Sequence, residues 1–128
     1  MELENDCADT LAAKGYRVHQ NPTPSSISDA WARTGDDGDP EKNPDYLIEG
    51  YVFDCYSPSA RTPTRNIWSQ VRNKIDRRQT QRAVVNLKDW QGDLGALQRQ
   101  FDGWPIDRLK EVVAVTPNGT IVQILRRG

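Results

Sequence analysis

The chain has 128 residues and a mass of 14.5 kDa, which is enough for one domain with one modest core. Charged residues make up 27% of it and hydrophobic residues 36%, and the formal net charge is -1. No apolar run approaches the roughly 20 residues of a membrane-spanning helix. Two cysteines and one histidine exclude a disulfide scaffold and any site that needs two histidines.

Hydrophobic periodicity and turn residues divide the chain into helices and strands. The predicted elements, in chain order, are a helix over 3–14, a strand over 16–20, two strands within 45–56, a helix over 64–80, a strand over 82–87, a helix over 93–101, and strands over 111–116 and 120–125. This order, α-β-β-β-α-β-α-β-β, predicts a single α/β (α+β) domain with a mixed β-sheet flanked by helices. Residues 21–44 are rich in Pro, Ser, Gly and Asp and are interpreted as a variable surface loop, with room for one helical turn near 29–33.

Charge is unevenly divided along the chain. Residues 1–60 carry 12 acidic and 4 basic side chains, whereas residues 61–82 carry 7 basic and one acidic. A compact basic segment is the electrostatic footprint that nucleic-acid binding requires. The alternative is a solvated helix face, since charge runs commonly cover exposed helices. In the helix over 64–80, four apolar residues at helical spacing are predicted to face the core and the arginines to face solvent: Ile67, Trp68, Val71 and Ile75.

The segment from Asp45 to Tyr56 holds the most informative chemistry. If Glu49-Gly50 forms a two-residue turn, Asp45 stands opposite Asp54, and Tyr56 shares the face of Asp54. Two opposed carboxylates repel each other unless a cation lies between them or one is protonated, and oxygen ligands of this kind suit Mg²⁺ or Mn²⁺. The alternative is a pair of solvent-facing residues at the end of a hairpin.

A third carboxylate is a candidate for the same site. Glu4 borders the apolar stripe of the first predicted helix, so its side chain can point along the sheet toward the two aspartates. The alternative is that Glu4 only interacts favourably with the dipole at the start of its helix.

Several motifs resemble a known group of nucleases. Pro44-Asp45, a hairpin and then Asp54-x-Tyr56 resembles the PD-(D/E)xK nuclease arrangement, whose α-β-β-β-α-β core has the predicted order. More narrowly, an ordered set of stretches resembles the C-terminal tRNase domain of contact-dependent growth inhibition (CdiA-type) toxins. The stretches are Asn21-Pro22, Lys42-Asn43-Pro44-Asp45-Tyr46, Phe53-Asp54-Cys55-Tyr56-Ser57-Pro58, Asn66-Ile67-Trp68, Gln79-Thr80-Gln81-Arg82, Asn86-Leu87, Trp104-Pro105-Ile106 and Leu109-Lys110-Glu111-Val112.

The resemblance implies a metal-dependent nuclease that cuts tRNA. Carried over by position, Glu4, Asp45 and Asp54 would be the catalytic acids and would hold Mg²⁺ or Mn²⁺. Tyr56 stands where the PD-(D/E)xK pattern has its lysine and is kept as a candidate catalytic residue, because its phenol can hydrogen-bond a phosphate oxygen, although it supplies no fixed cation. We therefore expect a cation from the following helix, with Lys74 the first candidate and Lys42 the alternative. Seven residues are predicted to contact RNA: Lys42, Arg65, Arg72, Arg77, Gln79, Thr80 and Arg82.

The resemblance also implies a partner and a place of action. The domain would be secreted or delivered from the cell surface as part of a larger toxin, would act in the cytoplasm of a target bacterium, and would carry no membrane anchor. A cognate immunity protein would neutralise it, and the arginine-rich helix leads us to expect an acidic surface on that protein. A need for a host factor such as elongation factor Tu stays open. The alternative functions are a non-enzymatic RNA-binding module and a DNase on the same fold.

Overall fold

A six-stranded mixed sheet carries helices on both of its faces. The computed structural model describes the backbone of residues 2–127 and the side chains of residues 6–127. Within that range the helices are α1 (Glu2–Ala13), α2 (Pro24–Thr34), α3 (Thr64–Asp76) and α4 (Leu94–Gly103). The strands there are β1 (Val18–Gln20), β2 (Tyr46–Ile48), β3 (Tyr51–Tyr56), β4 (Arg82–Asn86), β5 (Glu111–Val115) and β6 (Ile121–Arg126). None of these helices is long and apolar enough to cross a membrane.

The strands lie in the sheet in the order in which they occur along the chain, β1 to β6. The central strands β3, β4 and β5 are parallel, while β1–β2, β2–β3 and β5–β6 are antiparallel. Parallel neighbours need crossover connections, and α3 and α4 supply them. The predicted mixed sheet and the order of its elements are therefore confirmed, except that one more helix, α2, lies between β1 and β2.

Each face of the sheet has its own apolar core. On one face, Cys7, Ala8 and Leu11 of α1 pack against side chains of the central strands: Tyr46, Ile48, Phe53, Val84, Val113 and Val115. On the other face, α3 and α4 cover the alternate residues of β4 and β5, among them Ala83 and Val112. Asp54 pairs with Ala83 in the β3–β4 ladder, so its side chain points to the α3 face.

The interpretation of residues 21–44 as a surface loop was wrong for its central part. Residues 24–34 form an 11-residue helix that begins with Thr23 as N-cap and Pro24 in the first turn, and ends at Gly35 in the left-handed conformation. Ile27 and Ala30 are buried against Val52 of β3. Val52 and Asp54 are two residues apart in β3, so their side chains lie on the same face of the sheet. Helix α2 therefore covers the sheet next to the two aspartates.

Helix α3 follows the prediction along its length but ends earlier. Its four predicted inward residues are all buried: Ile67, Trp68, Val71 and Ile75. It ends at Asp76 rather than near Thr80, because Arg77 caps it and Arg78 turns the chain with a positive φ of 60°. The turn brings the backbone N–H of Gln79 to the carbonyl of Lys74 at 3.1 Å, and this places residues 79 and 80 beside β3.

Candidate active site

The hairpin has the predicted register. Glu49 and Gly50 both have positive φ, 52° and 82°, as a two-residue turn of the type I′ class requires. The cross-strand pairs are Ile48 with Tyr51, Leu47 with Val52 and Tyr46 with Phe53. The prediction of this turn and its pairing is confirmed, and the same count places Asp45 and Asp54 at the open end of the hairpin.

Asp45 and Asp54 are held together by reciprocal hydrogen bonds. The backbone N–H of Asp45 donates to Oδ1 of Asp54 at 3.1 Å, and the backbone N–H of Cys55 donates to Oδ2 of Asp45 at 2.8 Å. Each carboxylate thus accepts a hydrogen bond from a main-chain N–H across the hairpin, which offsets part of the repulsion between them. Asp54 is 2% exposed, so the alternative of two water-facing aspartates is excluded for this residue.

The second oxygen of Asp54 meets two side chains from the end of α3. Nζ of Lys74 lies 2.7 Å from Oδ2, and Nε2 of Gln79 donates to the same oxygen at 3.1 Å. Lys74 is 20% exposed and Asp54 2%, so this is a largely buried ion pair. The structure brings Lys74, the cation expected from α3, next to the carboxylate. It also shows a contact of Gln79 that sequence analysis missed.

The donor set at the hairpin fits a hard divalent cation. The carboxylates of Asp45, just before β2, and of Asp54, in β3, offer the oxygen ligands that Mg²⁺ uses. This ion commonly takes one or two carboxylates and completes its shell with water. Among the described side chains, no three His, Cys, Asp or Glu residues gather into a metal site. The side chain of Glu4, the third predicted ligand, lies outside the described residues.

Thr80 is removed from the RNA-contacting set. Its side chain is fully buried, and its hydroxyl donates to the carbonyl of Val52 at 2.8 Å and accepts from the backbone N–H of Arg82 at 3.1 Å. The hydroxyl therefore ties the start of β4 to β3 and has no access to a ligand in solvent. Its effect on the site is indirect, because it fixes the backbone next to Gln79.

Arg82 is also removed from that set, because it is 1% exposed. Its guanidinium donates to Asp36 and Glu111, each at 2.7 Å, and lies 4.2 Å from the ring centroid of Tyr51. Lys110 donates to Asp36 at 2.8 Å. Burial alone would raise the pKa of the Asp36 carboxyl, but the hydrogen bonds from Arg82 and Lys110 outweigh it and hold the pKa below its ordinary value. The segment after α2 is thus fixed to the sheet by buried charges.

The other predicted RNA-contacting cations lie at the surface. Arg65, Arg72 and Arg77 are exposed, and Lys42 is half-buried on the segment that leads into β2. Arg65 lies over the ring of Trp104 at 5.3 Å from its centroid. Arg72 pairs with Asp76 at 3.4 Å. These positions are compatible with phosphate contacts, and their role stays a prediction.

Tyr56 lies on the face of Asp54, as predicted. Its partly buried side chain packs against the core beneath α3 and α4. This packing provides no cation beside Asp54, whereas Lys74 does. Tyr56 therefore packs beside the site, and its catalytic role stays a prediction.

Comparison with known proteins identifies the family. The family model of the contact-dependent growth inhibition CdiA C-terminal domain matches residues 42–121, which include Asp45, Asp54, Lys74 and Gln79. The chain belongs to this family. It is 37% identical over 125 residues to the tRNA nuclease CdiA-2 of Burkholderia pseudomallei (strain 1026b), a match that covers 98% of the chain and 4% of that relative. The chain therefore spans only a small part of the length of this relative.

A solved structure has the same fold. The chain superposes with a TM-score of 0.76 on a chain of the CdiA-CT/CdiI toxin and immunity complex from Burkholderia pseudomallei. The identity is 37%, and the match covers 94% of this chain and 80% of that one. The predicted resemblance to the C-terminal domain of CdiA-type toxins and the predicted mixed α/β fold are thereby confirmed.

Proposed function

We propose that this domain is a metal-dependent endoribonuclease that cleaves tRNA and acts as the toxic part of a larger contact-dependent growth inhibition protein. The observation that carries the proposal is the contact between Lys74 and Asp54 beside Asp45, because two carboxylates and one cation form a site for phosphodiester hydrolysis. The 37% identity to a protein named a tRNA nuclease favours tRNA as the substrate.

Each side chain of the candidate site has its own proposed role. Asp45 and Asp54 would hold Mg²⁺ or Mn²⁺, with Glu4 as the predicted third acid. A bound ion of this kind stabilises charge on a phosphate and lowers the pKa of a water molecule. Lys74 places its ammonium group 2.7 Å from Asp54 and would orient the attacking water or a phosphate oxygen. Gln79 donates to Asp54 and would hold its carboxylate in one orientation.

Cleavage assays with three substrates test the proposal. Purified domain is incubated with total tRNA, ribosomal RNA and plasmid DNA, in EDTA and then with added Mg²⁺ or Mn²⁺, and with and without elongation factor Tu. We expect metal-dependent cleavage of tRNA alone. Cleavage of the plasmid would assign a DNase, binding of tRNA without cleavage would assign an RNA-binding module, and full cleavage in EDTA would overturn the metal mechanism.

Two variants assign the residues. Asp54→Asn keeps the size of the side chain and removes its charge, and Lys74→Met removes the cation, so each should lower the cleavage rate by at least about 100-fold, the usual range for a catalytic group. Arg99→Gln is the matched control, because Arg99 is exposed on α4 and pairs at 3.7 Å with Asp93, outside the site. Full activity in either site variant would contradict the assignment.

The proposed function includes neutralisation by an immunity protein and delivery by a larger protein. The neighbouring solved structure is a toxin and immunity complex, and we propose that a cognate immunity protein with an acidic surface neutralises this domain. Exposed Arg65, Arg72 and Arg77 would be its targets, since charge complementarity accelerates association. The domain would be carried to the cell surface by the larger protein and would act in the cytoplasm of the target bacterium.

A further inference from the structure

Two arginines from distant segments converge on one exposed carboxylate. Nη2 of Arg78 lies 3.4 Å from Oδ1 of Asp37, and Nη2 of Arg108 donates to the same oxygen. Asp37 is 65% exposed, Arg78 55% and Arg108 31%, so the three side chains form an open site at the surface. An anionic oxygen held by two guanidinium groups has the surroundings that arginines commonly give to a phosphate.

The backbone of both arginines is strained. Arg78 has a φ of 60° and Arg108 a φ of 71°, in the left-handed region that residues other than glycine rarely adopt. Glycine or asparagine would satisfy either turn with less strain, and conformational strain is concentrated at functional sites. The presence of arginine at both strained positions therefore indicates that the guanidinium groups have a function that glycine or asparagine could not supply.

One side chain fixes the two sides of this site relative to each other. Oε1 of Gln81 accepts from the backbone N–H of Asp37 at 2.7 Å, and its Nε2 donates to the carbonyl of Arg108 at 3.0 Å. Asp36, the residue before Asp37, is buried and bonded to Arg82. The backbone is thus anchored on both sides, while the side chain of Asp37 is 65% exposed and contacts the two arginines at the surface.

The site adjoins the candidate active site. Nη1 of Arg108 donates to the carbonyl of Ile75 at 3.4 Å, and Ile75 follows Lys74 in α3. Arg78 precedes Gln79, whose amide contacts Asp54. Arg78 is therefore one peptide unit from a residue that contacts Asp54, a spacing that one RNA strand can span.

We propose that Arg78 and Arg108 bind a backbone phosphate of the RNA substrate, and that the carboxylate of Asp37 occupies this position when RNA is absent. This inference rests on the proposed function, which makes RNA the substrate. Exposed ion pairs are weak, so a phosphate displaces Asp37 at small cost. Asp37 would thereby limit the affinity for RNA, and replacing it should strengthen binding.

A double-mutant cycle tests this site directly. The affinity for total tRNA is measured by fluorescence titration in EDTA, where the proposed nuclease does not turn over. Asp37→Asn should bind tRNA about 3- to 10-fold more tightly than the parent protein. The double variant Arg78→Gln, Arg108→Gln should bind more weakly, and the slope of log affinity against log salt should become shallower by about one. In the double-variant background, Asp37→Asn should have no further effect.

The effect of Asp37→Asn in the two backgrounds distinguishes displacement of Asp37 by a phosphate from simple repulsion between Asp37 and RNA. If Asp37 only repels RNA at long range, Asp37→Asn will raise the affinity equally in both backgrounds, and this result would overturn the proposal. No change, or weaker binding, on Asp37→Asn alone would also overturn it. Asp93→Asn is the matched control, because Asp93 is an exposed partner of Arg99 and asparagine keeps its helix cap.

Two further measurements check that the variants are folded and that the parent protein cleaves tRNA. Thermal unfolding shows whether each variant is folded, and Arg78→Gln alone, with a more exposed side chain, replaces the double variant if that one unfolds. Cleavage by the parent protein is measured in parallel with Mg²⁺. If the parent protein cleaves tRNA but the effects of the Asp37 and arginine substitutions simply add, the phosphate site alone is overturned. If those effects are coupled but tRNA is not cleaved, the nuclease proposal alone is overturned. A parent protein that neither binds nor cleaves tRNA overturns both.

Discussion

Nζ of Lys74 lies 2.7 Å from Oδ2 of Asp54, which joins the end of α3 to the middle of the sheet. The pair is largely buried, with side-chain exposures of 20% and 2%. Removing one partner of a buried pair leaves a charge without compensation, and this costs more than the pair itself contributes. The ion pair therefore has a structural effect that can be measured separately from catalysis.

A stability cycle on this pair gives the first prediction. Lys74→Met should lower the free energy of unfolding by about 2–4 kcal/mol, because the carboxylate of Asp54 stays buried without its cation. Adding Asp54→Asn to that variant should restore part of the loss, with a coupling energy of about 1–3 kcal/mol. Urea unfolding of the four proteins measures both numbers. Losses that simply add would show that the two side chains do not interact in solution.

The second prediction concerns Asp36 and pH. Its pKa is held below the ordinary value by Arg82 and Lys110, so the folded state binds its proton less readily than the unfolded state does. The carboxylate therefore contributes stability above the unfolded pKa of about 3.9, and this contribution is lost as the pH falls through the lower folded pKa.

Asp36→Asn should lower the free energy of unfolding by roughly 3 kcal/mol at pH 7, since it removes one partner from a buried charge network. The difference between the two proteins should shrink once the pH falls below about 4. Urea unfolding from pH 7 to pH 3 measures the trend, and exposed Asp93→Asn serves as the control with little effect. A difference that stays constant with pH would contradict the role given to the Asp36 charge.

The third prediction concerns the turn after α3. Arg78 has left-handed backbone at the position after the C-cap, where glycine is strongly preferred, so Arg78→Gly should raise the free energy of unfolding by about 1 kcal/mol. The same variant should bind tRNA more weakly if the side chain holds a phosphate. Arg77→Gly is the matched control, because its φ of -81° gives glycine no advantage. Equal stabilisation by both changes would refute the strain argument.

The fourth prediction concerns the proposed immunity protein. If its acidic surface docks on the arginines of α3, its association rate should fall with increasing salt, since electrostatic steering is screened. The variant Arg72→Glu, Arg77→Glu should associate at least about 10-fold more slowly at low salt. Stopped-flow measurements across a salt series check both effects. A rate that responds neither to salt nor to this charge reversal would place the interface elsewhere on the domain.

The hairpin and the buried face of α3 were predictable because their signals are local. Glu49 and Gly50 form the turn, the strand residues alternate between two faces, and together these features fix the pairing without knowledge of the rest of the chain. Helix α2 was missed although Thr23, Pro24 and Gly35 mark its ends, because Ser and Asp lower the helix propensity of the segment between them. Its apolar contacts with β3 outweigh that low propensity.

The sequence alone determined where carboxylates and cations occur and which of them share an element. It placed Asp45 opposite Asp54 and Lys74 on the helix that follows. It did not distinguish Arg72, which is exposed, from Arg82, which is buried between Asp36 and Glu111. The environment of a charge is decided by partners far away in the chain, and Asp36 lies 46 residues from Arg82. For the same reason the meeting of Asp37, Arg78 and Arg108 was decided only by the tertiary structure, which brings three separate segments to one end of α3.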